Sequence, residues 1–241
     1  EMCIRDSSET AWKKIAFGFN AQMQNSYHNN IQINGTNTAN GLDNYFLNYA
    51  AGKDGAALGL NDFESVRDIY QFFGQSSSHG FGYQQAFLGY QAYIFDYLPD
   101  DSLFVSNAIY SSVQHNHSIQ TSGENWSMAF TLSGQYNDWL YLGANINASN
   151  AEYRQITSTK ETGYLPESFL QETYFQNELY TYGGGVSLQF GAIAMPNKNV
   201  RLGVSYKTPT WYELNDEFSQ YLETKSTDSD ANSYNDVIDL K

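Results

Sequence analysis

The chain has 241 residues, enough for one large domain, and a formal net charge of −14. That acidic balance excludes a nucleic-acid partner, because phosphate binding needs a basic stripe. Charged residues make up only 16 % of it, matched by 16 % aromatics, a composition of Tyr, Gly, Asn, Ser and Gln that suits long strands with neutral polar faces better than helices.

Residues 1–7, Glu-Met-Cys-Ile-Arg-Asp-Ser, read as the in-frame translation of a sequencing-library adapter and stand outside any fold argument. Cys3 is then foreign, and the remainder is free of cysteine. The native start is expected upstream. From Ile15 the apolar residues fall at every second position: Ile15, Phe17, Phe19, Ala21 and Met23, the period of a strand with two unlike faces. Residues 26–82 break the pattern and are expected to form an external insertion. Within it Phe46, Leu47, Leu58, Leu60, Phe63, Phe72 and Phe73 recur at partly helical spacing, as in a lid packed on itself or on a barrel mouth. These seven are the candidate substrate-binding residues.

Residues 85–98 suit a helix or a strand. Topology favours a descending strand there, with 105–121 rising and 126–136 descending again. Alternation returns at 126–135, 140–148, 182–192 and 200–206. Asn137-Asp138 and Pro196-Asn197 join neighbouring segments by hairpin chemistry. Between them 154–171 reads as a long polar connection, and 208–241 as an acidic external loop. Short turns on one side and long loops on the other are the mark of a bacterial outer-membrane barrel.

No segment approaches the ~18 apolar residues of a spanning helix, so strands must carry any membrane role. A soluble sandwich also alternates. Here, however, the polar face is Gly, Ser, Thr, Asn and Gln rather than Lys and Glu. Aromatics sit near segment ends, at Trp12, Trp126, Tyr136, Trp139, Trp211 and Tyr212, where interfacial girdles lie. The barrel reading places Phe17, Phe19, Met128, Phe130, Leu140, Leu142, Leu188, Phe190, Leu202 and Val204 outside, and Ser127, Thr131, Asn145, Ser187, Gln189 and Ser205 inside.

No catalytic signature is present: no GxSxG, HExxH or phosphate-binding loop. An enzyme and a cofactor are not expected. His115 and His117 have metal-ligand spacing without a third ligand and read as plain polar residues. Gly183–Gly185 read as small strand residues. The acids from Glu213 to Asp239 match no calcium loop.

Three segments carry a resemblance. Trp12 to Asn20 (WKKIAFGFN), Asn137 to Ala144 (NDWLYLGA) and Arg201 to Tyr206 (RLGVSY) running into Thr208 to Tyr212 (TPTWY) resemble the long-chain fatty acid transporter (FadL-like) family of outer-membrane barrels. The resemblance implies a fourteen-stranded antiparallel transmembrane barrel closed by an N-terminal hatch, of which about half, roughly seven strands, is present. It implies uptake of hydrophobic small molecules such as long-chain fatty acids or aromatic hydrocarbons. The setting would be the outer membrane of a Gram-negative bacterium, with outer-membrane lipid and lipopolysaccharide around a monomeric barrel. Lys14 and Arg201 are then interior counter-charges or contacts for a carboxylate. A general porin or structural barrel, and a soluble β-sandwich binding module, are the alternatives.

Overall fold

A computed structural model describes residues 2–4 and 11–240. Period-two segments become strands wherever the sequence alternates, and the fold is all-β and antiparallel. In chain order the elements are β1 (Met2–Ile4), β2 (Trp12–Ser26), β3 (Asn29–Asn37), α1 (Leu42–Ala50), a 3₁₀ turn (Gly55–Leu58), α2 (Val66–Gln75), α3 (Gly80–Gln91), β4 (Phe95–Leu98) and β5 (Leu103–Ser106). There follow β6 (Val113–Ser122), β7 (Glu124–Tyr136), β8 (Leu140–Thr162), β9 (Leu170–Asn197), β10 (Val200–Lys207), β11 (Trp211–Thr227) and β12 (Ser233–Asp239). A ten-stranded sheet runs β1-β2-β7-β8-β9-β11-β12, with β10 on β9, and β6 on both β3 and β8. β4 and β5 form a separate hairpin. Among the described residues no helix is long and apolar enough to cross a membrane.

The chain divides into two units. The strand unit comprises residues 1–29, 121–154 and 179–217. Its antiparallel register sets alternate residues in cross-strand rows: Phe19 faces Phe130, which faces Ile146, and Phe17 faces Leu132, which faces Ala144. On β7 Trp126, Met128, Phe130 and Leu132 are exposed, while Ser127, Ala129, Thr131 and Ser133 are half-buried. On β8 and β9 Leu142, Ile146, Val186 and Phe190 are exposed while Asn147 and Ser187 are buried. Leu140 and Leu188 are only half-buried, and on β2 and β10 nearly every residue is exposed, Ser205 included. The whole buried apolar core lies in the other unit. On β7, β8 and β9 the strand unit is therefore inside-out, with most large apolar side chains exposed and the polar ones between them half-buried or buried.

The helix-bearing unit comprises residues 30–120, 155–178 and 218–241. Its three helices pack on one another and on strand residues around fully buried Phe46, Phe87, Leu88, Phe95, Leu170 and Leu222. Ser65 starts α2 by accepting the Asp68 N–H at 3.1 Å, which satisfies one of the donors a helix start leaves over. Residues 85–89 of α3 are all buried, as expected of a helix with packing on every side. Gly89 permits that packing: a Cβ there would lie 2.6 Å from Phe46 and 2.7 Å from the Phe95 ring.

Several boundaries differ from the sequence reading. Residues 85–98 are not a descending strand but the end of α3 followed by β4. The 105–121 and 126–136 segments do not run antiparallel to each other, since β6 and β7 follow in succession along β8. The chain does not reverse between them: Gly123 takes φ 114°, and its carbonyl accepts the Tyr27 N–H at 3.0 Å. This irregularity lets the chain continue without reversing. The start of the expected 26–82 insertion is strand β3, and helix begins only at Leu42. The 154–171 connection shrinks to residues 163–169, and β11 and β12 occupy most of the expected 208–241 loop. Residues Met2–Ile4 lie along β2, as any tripeptide can, because ladder bonds use backbone alone.

Phe87→Ala, which empties the centre of the helical core, should cost ~3–5 kcal/mol. Phe63→Ala on its surface should stay within roughly 0.5 kcal/mol. Denaturant melts of the helical circular-dichroism signal in detergent would separate the two.

Candidate functional site

Of the seven residues expected to meet a ligand, Phe46, Leu58 and Phe73 are buried together in the helical core. Leu47 packs against that core from its edge. Phe46 meets Phe175 of β9 edge-on at 5.2 Å, and Phe73 meets Phe87 of α3 at 5.5 Å. Leu60, Phe63 and Phe72 remain exposed. Phe63 stands fully in solvent with φ 75°, a left-handed backbone that bulky residues seldom adopt. Its turn is tied by Glu64, whose carboxylate accepts the Asn61 N–H at 2.8 Å and the Asn61 amide at 3.0 Å.

The insertion is held at its neck by polar groups that spacing alone did not reveal. Glu161 of β8 is fully buried. Its carboxylate accepts the Leu42 N–H at 2.8 Å, at the start of α1, where a helix favours an anion. His115 of β6 and the Tyr164 hydroxyl close on the same carboxylate. The residue next to Leu42, Asp43, accepts the Ser106 hydroxyl at 2.6 Å and the Tyr110 hydroxyl at 3.0 Å. Tyr110 in turn accepts the Gly41 N–H at 2.8 Å. No side chain fits at Gly41, since a Cβ would lie 2.7 Å from Asp43 and 2.8 Å from Glu161. Burial, with Asp43 beside it, pushes the Tyr110 phenol up to about 12. Burial and the neighbouring Glu161 push Tyr164 higher still. Both therefore remain neutral donors at ordinary pH.

A second polar knot sews the helices to strands. The Gln85 and Gln220 side chains exchange amide bonds at 2.8 and 3.2 Å, and Tyr70 donates to Gln220 at 2.6 Å. His117 pairs with Thr159 at 2.8 Å, so the two histidines have different neighbours. Among the described residues no cluster of three His, Cys, Asp or Glu is placed to hold a metal ion.

The strand unit carries a different feature, an open hollow of about 980 Å³ on its apolar face. Small residues, Gly134, Ala144 and Ala192 among them, line it together with Phe17 on β2 and Phe190 and Tyr206 on β9 and β10. Trp12, Lys13 and Lys14 line it as well. A smaller hollow of about 570 Å³ includes Tyr141, Asn145, Gln189 and Ser205.

Set against known proteins, the chain matches no family model, no curated protein and no solved structure.

Glu161→Ala should cost ~3–5 kcal/mol, because it strands the groups that carboxylate satisfies, and hydrogen exchange in α1 should accelerate. The raised Tyr110 phenol adds a pH signature. Its contribution is fully present below its ordinary value of 10.0 and is lost as pH rises to about 12. Alkaline titration should release α1 over that window, and Tyr110→Phe should flatten that part of the profile.

Proposed function

We propose that the chain is part of an outer-membrane β-barrel of the FadL-like kind, which admits hydrophobic small molecules and performs no covalent chemistry. The observation that carries this reading is the inside-out strand unit. Its exposed row of Phe17, Phe130, Phe190, Leu202 and Val204 is 49–70 % exposed, while Asn147 and Ser187 are buried. Water disfavours that arrangement strongly, and hydrocarbon favours it, because the backbone groups are already paired between strands. A sandwich would cover such a face with a second apolar sheet layer, whereas these side chains are exposed.

The dimensions suit a bilayer. From Trp126 to Tyr136 on β7 is ten residue steps, about 33 Å of strand, or roughly 23 Å across when tilted by about 45°. That is close to the ~25 Å apolar band of outer-membrane barrels. Trp126 marks one end of it, while Tyr136 packs edge-on with Trp12 at 5.4 Å at the other. Exposed aromatics at both ends support interfacial girdles.

The insertion supplies the capture surface in this reading. Phe46, Leu58 and Phe73 hold it together, which leaves Leu60, Phe63 and Phe72 to meet an apolar ligand. An exposed bulky side chain on a strained backbone is kept where function requires it.

Without detergent the chain should aggregate, driven by its apolar face and unpaired strand edges; a monodisperse monomer in plain buffer would sink the membrane reading. Phe63→Ser together with Phe72→Ser, in the protein as assembled in an outer membrane, should reduce uptake of labelled fatty acid several-fold. Heat-modifiable gel mobility should not change. Undiminished uptake would remove the two residues from the capture surface.

A further inference from the structure

The root of the insertion carries two Asn-Gly pairs, Asn34-Gly35 and Asn40-Gly41, which the fold places in opposite surroundings. In such a pair the glycine nitrogen can reach the asparagine side-chain carbon, because glycine has no Cβ to obstruct the approach. The nitrogen gives up its proton and bonds to that carbon, and the side-chain amide leaves as ammonia. Water then opens the resulting five-membered imide to aspartate or isoaspartate. Only water is consumed. The product carries one more negative charge, and its isoaspartyl form one extra backbone atom.

Asn34-Gly35 lies within β3, where both residues are exposed. No neighbouring atom comes within 4 Å of the position a Gly35 Cβ would take. Asn-Gly favours a hairpin turn with positive φ, yet Gly35 has no positive φ here, so the pair is held extended against its local preference. The hold is one-sided. Among the described residues β3 pairs only with β6, and segments held by few contacts open locally. Rotation out of the ladder brings the Gly35 nitrogen to the Asn34 side chain.

Asn40-Gly41 is the reverse case. Asn40 is exposed, but Gly41 is buried. Its N–H donates to the Tyr110 hydroxyl at 2.8 Å, so the attacking nitrogen is occupied. The Asp43 and Glu161 carboxylates lie 2.7 and 2.8 Å from where a Gly41 Cβ would be, and negative charge so close opposes loss of a proton. The neck that clamps α1 also shields this pair.

We propose that Asn34 is a site of spontaneous deamidation, and that the neck protects Asn40 from the same reaction. The extra backbone atom of isoaspartate shifts β3 against β6, close to the 2.9 Å bond from the Gln114 amide to the Thr36 hydroxyl. Modification therefore loosens the strand that leads into the insertion. The site stands whether or not the strand unit lies in a membrane.

The test incubates the full chain in detergent at mildly alkaline pH and follows amide-to-acid conversion at each asparagine by fragment-ion mass spectrometry. The urea-denatured chain is the reference, in which the two pairs should convert alike. In the folded chain Asn34 should convert roughly ten-fold faster than Asn40, the factor imposed by breaking one hydrogen bond and opening a buried site. Tyr110→Phe, which frees the Gly41 N–H, should accelerate Asn40 several-fold and leave Asn34 unchanged. Gly35→Ala, whose Cβ meets no neighbour, should slow Asn34 without unfolding β3. Equal folded-state rates at the two pairs, or an Asn34 that stays an amide while the denatured chain converts, overturns the proposal. An Asn40 rate untouched by Tyr110→Phe overturns the protection by the neck.

Discussion

The described residues of the strand unit form no buried apolar core to hold it together, and the rest of the molecule has to be understood from that constraint. Its large side chains, Phe17, Phe130 and Phe190 among them, point away from the protein. Cohesion comes from the backbone ladders, above all the continuous pairing of β2 with β7 and of β7 with β8. Ladder bonds contribute little net stability where water competes for the same groups. In hydrocarbon an unpaired backbone group costs several kcal/mol, so the same ladders become decisive. A sheet of this kind is suited to one solvent, and the polar residues it buries, Asn147 and Ser187, are where apolar ones stand in a soluble sheet.

The helix-bearing unit follows the opposite rule. There Phe46, Phe87, Leu88 and Phe95 are fully buried, and most of the polar groups inside are paired, the buried Ser226 hydroxyl being an exception. The Gln85–Gln220 exchange and the Glu161 carboxylate are paired cases. A buried polar group with all partners in place specifies one arrangement, because any displacement leaves it unsatisfied. Asp43, Tyr110 and Glu161 sit where the insertion leaves and rejoins the strands. The insertion is consequently clamped at its neck, and Phe63 and Phe72 are displayed from a fixed body rather than from a loose flap.

This changes what the apolar residues of the insertion mean. Helical spacing marked Phe46, Leu58, Phe73, Phe63 and Phe72 alike, because a period records only that one face of an element is apolar. Whether that face meets the protein or a ligand depends on what lies opposite. Phe46 finds Phe175 and Phe73 finds Phe87, and both are core. Phe63 finds nothing, being at the tip of a turn. The strand-unit hollow was equally hidden, because its lining is drawn from strands β2, β7, β8, β9 and β10 together.

The sequence by itself determined the strands of the strand unit, their two faces and the Asn137-Asp138 and Pro196-Asn197 turns, because a period of two is written in neighbouring residues. It did not determine that residues 80–91 are a helix, with Gly80, Gly82 and Gly89 opposing one. Burial on all sides overrode that propensity. It did not show that β6 runs on into β7, since that continuity depends on Gly123 meeting Tyr27. Nor did it show that His115 belongs to Glu161, 46 residues away. Only tertiary structure decided these, because each depends on a contact between segments whose separation along the chain carries no local signal.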